Sequence, residues 1–164
     1  MRILGIDPGV AITGYSIVEE YNNQFTCVGS GCIRTKSDLD PALRLEIIYD
    51  EVTGLIKKYA PAALSIEKIF FSKNVRTAFQ VGEARGVVIL AATQSNLIIY
   101  QYTPLQIKQA VAGYGKAEKV QVQNMVKMLL QLTEIPPVDD EADAMAVALC
   151  HLQARRFNDA VKGG

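Results

Sequence analysis

The sequence lacks an excess of charge of either sign, because 17 lysines and arginines are balanced by 17 aspartates and glutamates. A net charge of zero argues against a protein that coats nucleic acid through bulk charge, although a local basic surface remains compatible with it. No apolar run reaches the roughly 18 residues that a membrane-spanning helix requires. We therefore expect no membrane span, and the position of each charge matters more than the sum.

Cysteine and histidine are scarce. The three cysteines, Cys27, Cys32 and Cys150, form no CxxC pair, and His151 is the single histidine. This set favours neither a zinc site nor a disulfide framework, so we expect reduced, mostly buried thiols and a His151 that packs in the last helix. After Met1 the sequence has one arginine and then an apolar strand that contains Asp7. A secretory signal needs a longer uncharged segment, so we expect a cytoplasmic protein.

Internal repeats, low-complexity segments and interdomain linkers are also absent. The chain has 164 residues, of which 49% are hydrophobic, and this length and composition fit one domain with a sizeable core. We predict a single domain over residues 1–157 and a flexible tail over 158–164.

What the sequence contains is an ordered series of strands and helices. The predicted strands cover residues 3–7, 13–20, 25–34, 63–69 and 97–102. The predicted helices cover about 41–60, 75–95, 104–111, 119–132 and 140–156. Asn22-Asn23 is a plausible hairpin turn, and the helix before the fourth strand favours parallel pairing with the first. The order predicts an α/β fold with a mixed five-stranded sheet flanked by helices.

Four acids lie at the edges of apolar segments. Asp7 ends the first strand, Glu67 interrupts the fourth, and Asp140 and Asp143 are three residues apart at the start of the last helix. Sites of open α/β sheets lie at the carboxyl ends of strands. We predict that the four carboxylates meet around metal ions and that the substrate is a nucleic acid phosphodiester. Hard oxygen ligands suit Mg²⁺ or Mn²⁺, and two such ions about 4 Å apart can clamp an in-line phosphoryl displacement.

Each acid also has a structural alternative. Asp7 precedes Pro-Gly and is a common turn residue, while Asp140 and Asp143 are suited to capping a helix. Glu67 could pair with Lys68, since a carboxylate in a sheet interior is costly unless it is paired or bound to metal. An apolar helix follows Asp143, which places this acid close to the core.

The ordered set of acids and motifs resembles the RuvC-type Holliday junction resolvases of the ribonuclease-H-like superfamily. The matching segments are Gly5-Ile6-Asp7-Pro8-Gly9, Thr13-Gly14, Ile66-Glu67, Phe70, Asn74, Gln80 to Gly86, Lys108-Gln109, Ala117-Glu118-Lys119 and Ala142-Asp143-Ala144. The resemblance covers about residues 1–155. It implies a ribonuclease-H-like fold and a homodimeric endonuclease of DNA recombination and repair. Such an enzyme resolves four-way junctions by paired symmetric nicks in strands of like polarity.

The resemblance also implies a role for individual residues. The implied ligands of two Mg²⁺ ions, which Mn²⁺ can replace, are Asp7, Glu67, Asp140 and Asp143. The implied phosphate contacts are Lys108 and Lys119, of which Lys119 is also counted as catalytic. Phe70 is the aromatic implied to stack on a base near the crossover, and the RuvA and RuvB branch-migration proteins are the implied partners.

These implied roles have alternatives. The lysines could belong to a solvated helix face, and either Phe70 or Phe71 could pack in the core. Gly82 and Gly86 share one helical face and could form the dimer seam, or only a tight crossing within one chain.

Two other functions compete with the nuclease interpretation. Asp7-x-Gly9 with Gly14 resembles the first phosphate loop of sugar kinases and actin-like phosphotransferases, but a second such loop and a longer chain are missing. A junction-binding module without catalysis is the other rival, and it has no need for acids at the positions of Glu67 and Asp143.

Overall fold

The computed structural model describes residues 1–68 and 75–162. The strands are β1 (Arg2–Asp7), β2 (Ile12–Tyr21), β3 (Gln24–Arg34), β4 (Ala63–Glu67) and β5 (Ile98–Tyr102). The helices are α1 (Pro41–Tyr59), α2 (Val75–Gln94), α3 (Pro104–Ala112), α4 (Lys119–Leu129) and α5 (Asp139–Lys162). The predicted mixed five-stranded sheet with flanking helices is therefore confirmed.

The sheet has the strand order β3-β2-β1-β4-β5, which makes β1 the central strand. β1 pairs antiparallel with β2 and parallel with β4, and β4 pairs parallel with β5. Asn22 and Asn23 adopt φ values of 47° and 62° in the β2–β3 hairpin. Two consecutive residues with positive φ are the mark of the type I′ turn, which matches the twist of the flanking strands.

Each face of the sheet has its own helix layer. Leu4 and Ile6 pack on one face, with buried residues of α1 and α2. Ile3 packs on the opposite face, with α3, α4 and α5. Side chains alternate along a strand, so Gly5 and Asp7 share the face of Ile3. The acid at the end of β1 is therefore turned toward α5.

α5 lies directly on the sheet because small residues line their contact. A Cβ added at Gly5 would overlap the carbonyl oxygen of Ala144. Ser16 Oγ donates to that same carbonyl at 2.9 Å, and Ser65 Oγ donates to the carbonyl of Val147 at 2.7 Å. Both serine hydroxyls are buried and satisfied. The start of α5 is thereby fixed over the carboxyl ends of β1 and β4.

Three predicted boundaries were wrong. β4 ends at Glu67 rather than at residue 69, so Glu67 closes the strand instead of interrupting it. α4 ends at Leu129 because Gln131 takes a φ of 54°, although the apolar pattern continues to Leu132. α5 runs from Asp139 to Lys162, well past the predicted end at Arg156. Arg156 is bound to Glu20 of β2, which ties this part of the helix to the sheet.

The scarce residues behave largely as expected. His151 is 5% exposed, and its Nδ1 lies 2.7 Å from the Tyr102 hydroxyl, so it is packed as predicted. Among the cysteines only Cys150 is buried, whereas Cys27 and Cys32 are half-buried. No helix in the described ranges is long and apolar enough to cross a membrane. The division into a domain and a tail stays a prediction.

Candidate active site

Asp7 and Glu67 end neighbouring parallel strands. Ile6 of β1 is in register with Ile66 of β4, and each acid is the next residue along its strand. The carboxyl ends of parallel strands lie at the same edge of a sheet, which is where sites of α/β proteins form. The local sequence thus produces a pair of acids at the centre of this edge.

Asp140 and Asp143 reach the same edge from α5. Asp7 is paired across the β1–β2 ladder with Gly14. A Cβ at Gly14 would overlap the Asp140 carbonyl oxygen, so the glycine is what allows the first turn of α5 to lie there. The Thr13-Gly14 motif therefore has a structural reason, namely the close approach of α5 to β2.

The electrostatics of Asp7 show that the four acids are near one another. Burial is the largest of the causes that raise the pKa of Asp7 from 3.8 to about 7. The other causes of the rise are the negative charges of Asp143, Asp140 and Glu67, in that order. Lys119 opposes it. Burial and three like charges make this carboxylate costly to ionise, and a nearby cation would lower that cost.

Glu67 and Asp143 share this environment. Burial and then the charge of Asp143 raise the pKa of Glu67, while Lys108 lowers it. Burial also raises the pKa of Asp143, against a hydrogen bond from Lys119. Among the described residues Glu67 forms no ion pair within 4.0 Å, so pairing with the adjacent Lys68 is not what holds it. Asp143 is bonded to Lys119 and not to the amides of its own helix turn.

Lys119 begins α4 and bridges two acids of α5. Its Nζ lies 3.0 Å from Asp143 Oδ2 and 3.1 Å from Asp139 Oδ2. Gln123, one turn further along α4, donates to Asp139 Oδ1 at 2.9 Å. Burial lowers the pKa of Lys119, but the hydrogen bonds to Asp143 and Asp139 outweigh it and the net change is a rise. The ammonium therefore stays charged at neutral pH.

An open cleft of about 270 Å³ lies between β4 and the two helices α3 and α4. Its charged lining comprises Glu67, Asp143, Lys108 and Lys119. Ile107 and Val122 supply apolar walls. Two cations and two acids thus face one space. This arrangement suits a phosphate group beside the carboxylates, since lysine binds phosphate as a point charge.

The donor set fits a hard divalent cation, with one qualification of geometry. The acids are oxygen donors around a carboxylate that is costly to ionise, and Mg²⁺, Mn²⁺ and Ca²⁺ prefer such ligands. Within residues 1–68 and 75–162, no three side chains of His, Cys, Asp or Glu stand close enough together to hold one ion as they are placed. Asp143 instead forms an ion pair with Lys119. The residues that would hold metal are Asp7, Glu67, Asp140 and Asp143.

The structure brings together most of the predicted site and adds two residues. The four acids, Lys108 and Lys119 lie around one edge of the sheet, whereas Phe70 and its alternative Phe71 lie outside the described residues. Asp139, which directly precedes Asp140 at the start of α5, holds Lys119. Arg44 borders the site from α1 and carried no signal in the sequence, because nothing local marks a helix-surface arginine that packs against a distant loop.

These features define the class of protein. A central strand that ends in an acid, a parallel neighbour with a second acid and a terminal helix that supplies two more constitute a ribonuclease-H-like nuclease site on a matching sheet.

Comparison with known proteins identifies the family. A sequence profile of the family described as crossover junction endodeoxyribonuclease RuvC matches residues 3–151. A relative of that name from Halothermothrix orenii is 53% identical over 158 residues, which is 96% of both chains. One from Pelotomaculum thermopropionicum is 57% identical over 151 residues, or 92% of both chains. T. thermophilus RuvC, solved in complex with a Holliday junction substrate, superposes with a TM-score of 0.91 at 33% identity over 96% of each chain.

The chain therefore belongs to the crossover junction endodeoxyribonuclease RuvC family. Members of this family are metal-dependent hydrolases that cleave DNA. Membership decides against both rivals, the sugar-kinase or actin-like phosphotransferase and the binding module without catalysis.

Proposed function

We propose that this protein is a structure-selective endonuclease that resolves four-way DNA junctions in recombination and repair. In this proposal it makes paired, symmetric nicks in strands of like polarity. The observation that supports it most is the carboxylate of Asp7, whose pKa of about 7 reflects burial among three further acids at the end of the central strand. Such a cluster has no structural purpose on its own, since it raises the free energy of the folded protein.

The proposed metal ligands are Asp7, Glu67, Asp140 and Asp143, and the proposed ions are two Mg²⁺, for which Mn²⁺ can substitute. When bound, such ions activate water and stabilise the leaving oxygen of a phosphodiester. The chain's own contribution is to gather four oxygen donors on rigid elements, β1, β4 and α5. Rigid placement is what an in-line displacement requires of its ligands.

The proposed role of Lys119 is to stabilise charge on the phosphoryl group in the transition state. Its Nζ borders the same cleft as Glu67 and Asp143, so a phosphate seated there would lie within reach of the ammonium. Lys108 is proposed to bind a phosphate in the same cleft. The apolar side chains of Ile107 and Val122 limit the water that would screen both contacts. Phe70 remains the proposed base-stacking residue.

The experiment that tests this function compares three labelled DNAs: a four-way junction, a duplex of the same sequence and a replication-fork mimic. Each is incubated with Mg²⁺, with Mn²⁺ or with excess chelator. We expect the junction to be nicked in preference to the other two DNAs, and only when Mg²⁺ or Mn²⁺ is present. Full cleavage in chelator, or equal cleavage of the duplex, would show that the assignment is wrong.

We also propose a homodimer, because one chain offers one acid cluster and a symmetric junction needs two. The outward face of α2 is the proposed seam. On it Phe79 is 71% exposed and Leu90 is 50% exposed. A Cβ at Gly86 would meet nothing within 4 Å, so this glycine serves no crossing within the described chain. We expect a dimeric mass by light scattering at micromolar concentration and a monomer for Leu90→Glu. Met128→Glu, a change at a 70% exposed residue of α4, should leave the dimer intact.

Cooperation with the RuvA and RuvB branch-migration proteins and a cytoplasmic location belong to the same proposal. Pull-down of the purified chain with each protein on junction DNA tests the first, and cell fractionation tests the second.

A further inference from the structure

A second cleft borders the acidic cluster, at the β1–β2 end of the sheet edge. Its volume is about 310 Å³, and it lies between the loop after Asp7, helix α1 and the first turns of α2. Asp140 lines it, whereas Glu67 and Asp143 line the cleft that contains Lys119. The two clefts share no lining residue. A strand that crosses the acids would therefore enter one cleft on each side of them.

The cation of the second cleft is Arg44. This residue is half-buried in the first turns of α1, and its Nε donates to Thr35 Oγ1 at 2.8 Å. Thr35 Oγ1 in turn donates to the carbonyl of Val10 at 2.5 Å, in the loop that follows Asp7. Among the described residues, the terminal nitrogens Nη1 and Nη2 of Arg44 have neither a hydrogen bond nor an ion pair. The guanidinium is thus anchored at one edge while its remaining donors are unused.

An oriented guanidinium with free donors matches the phosphate group. Arginine binds phosphate through two parallel N–H donors, and holding Nε in place reduces the entropy lost when the other nitrogens bind. Gln80 of α2 lines the same cleft, and its side-chain amide is a second donor, which carries no charge. Asp140 lies at the cleft but forms no ion pair with Arg44, so the charge of the arginine is not neutralised by that acid.

The negative charge of a DNA strand requires cations on both sides of the acids. A DNA strand brings one negative charge per phosphate toward a cluster of four carboxylates. Two divalent ions would balance the four carboxylates and leave the phosphates on either side of the cut without compensation. Lys108 and Lys119 supply cations on one side only. The other side has Arg44.

We propose that Arg44, assisted by Gln80, is a phosphate subsite for the DNA strand on the side of the cut opposite to Lys119. This inference rests on the proposed junction nuclease function. The structural role that competes with it is that Arg44 only fixes Thr35 and, through it, the loop beside Asp7.

The test uses the whole protein and a four-way junction in chelator, where binding is measured without cleavage. Arg44→Ala should weaken binding about tenfold, the scale of one hydrogen bond to a charged group. It should also make the plot of log affinity against log salt shallower by up to about one unit. Arg44→Lys should restore most of the salt slope. Lys57→Ala removes the same charge from the far end of α1 and should change neither quantity.

Two further measurements separate contact from support. Thr35→Val removes the anchor but keeps the guanidinium charge, so the salt slope should stay that of the unmodified protein. Junctions with single neutral methylphosphonates near the cut should reveal one position at which neutralisation weakens binding of the unmodified protein but not of Arg44→Ala. Melting temperatures establish that each variant is folded.

The outcomes are distinguishable from failure of the proposed function, because the unmodified protein must first bind the junction in preference to duplex. Given that, the inference is overturned if Arg44→Ala changes the salt slope no more than Lys57→Ala does. It is also overturned if Thr35→Val reproduces the full loss, or if no methylphosphonate position loses its effect in Arg44→Ala.

Discussion

The two ends of α5 place charge in opposite ways. At the first turn, Asp140 and Asp143 meet Asp7 and Glu67, and the pKa of Asp7 rises to about 7 through burial and their repulsion. Near the other end, Arg156 Nε lies 2.5 Å from Glu20 Oε1, and its guanidinium lies 4.0 Å over the ring of Phe25. The same helix thus carries unlike charges together at one end and like charges together at the other.

The contrast separates stability from function. Removing one member of a partly buried ion pair is destabilising because it leaves the other charge unpaired, whereas clustered carboxylates disfavour the folded state until a cation is bound. Changes at the acidic end should therefore abolish cleavage without unfolding the protein. Changes at the paired end should lower the stability of the folded protein without altering the chemistry.

The largest effect is expected from the acids. Glu67→Gln and Asp143→Asn keep shape and hydrogen bonding but remove a ligand charge, so single-turnover cleavage should fall by about a thousandfold or more. Junction affinity should hold or rise, because repulsion of phosphates is relieved. Glu141→Gln, a neighbouring acid in the first turn of α5, is the matched control and should cleave normally. Loss of binding together with cleavage, at unchanged melting temperature, would mean that the acids organise the DNA surface instead.

At the other end, Arg156→Ala should lower the free energy of unfolding by about 3 kcal/mol, because it leaves the Glu20 carboxylate, whose side chain is 12% exposed, without its partner. Urea unfolding measures the loss. Arg2→Ala breaks a more exposed pair with Glu19 and should cost about 0.5 kcal/mol. The nicking rate of folded Arg156→Ala should equal that of the unmodified protein, and a lower rate would break the separation.

The acidic end should also make stability depend on pH when metal is removed. The pKa of Asp7 is about 7 in the folded protein and 3.8 as its ordinary value, so the folded state binds the proton more tightly. Protonation of Asp7 therefore stabilises the folded state. This contribution is complete below pH 3.8 and is lost as pH rises through about 7. Between pH 5 and 8 the free energy of unfolding in chelator should fall by on the order of 2 kcal/mol. Asp7→Asn should remove this fall, and an unchanged profile would contradict the account.

A smaller effect is expected at Lys119, which pairs with Asp143 and also lines the cleft proposed for the phosphate. Lys119→Ala removes a cation beside the phosphoryl group, so we expect about a tenfold to hundredfold loss of cleavage rate and a weaker effect on binding. If Lys119 also contacts a phosphate before the reaction, the salt slope should become shallower by up to about one unit. Lys127→Ala, two turns along α4, is the control. A loss of affinity without a loss of rate would assign Lys119 to binding alone.

Much of the fold and part of the site could be predicted from local sequence patterns. Asp7 was predictable because an apolar run ends at it, and the Asn22-Asn23 turn because asparagine tolerates positive φ. The extent of α5 was missed because burial does not mark its continuation: Phe157, just past the predicted end, is 71% exposed. Asp139 and Arg44 were missed because their partners Lys119 and Thr35 are brought near only by the fold.

The central claim is that the four carboxylates form a metal site, and binding of Mn²⁺ measured by electron paramagnetic resonance of the free ion tests it without reference to activity. The account predicts that the unmodified protein takes up as many as two ions and that Asp7→Asn and Glu67→Gln each lose this uptake, while Glu141→Gln keeps it. Equal uptake by all four proteins would contradict the claim.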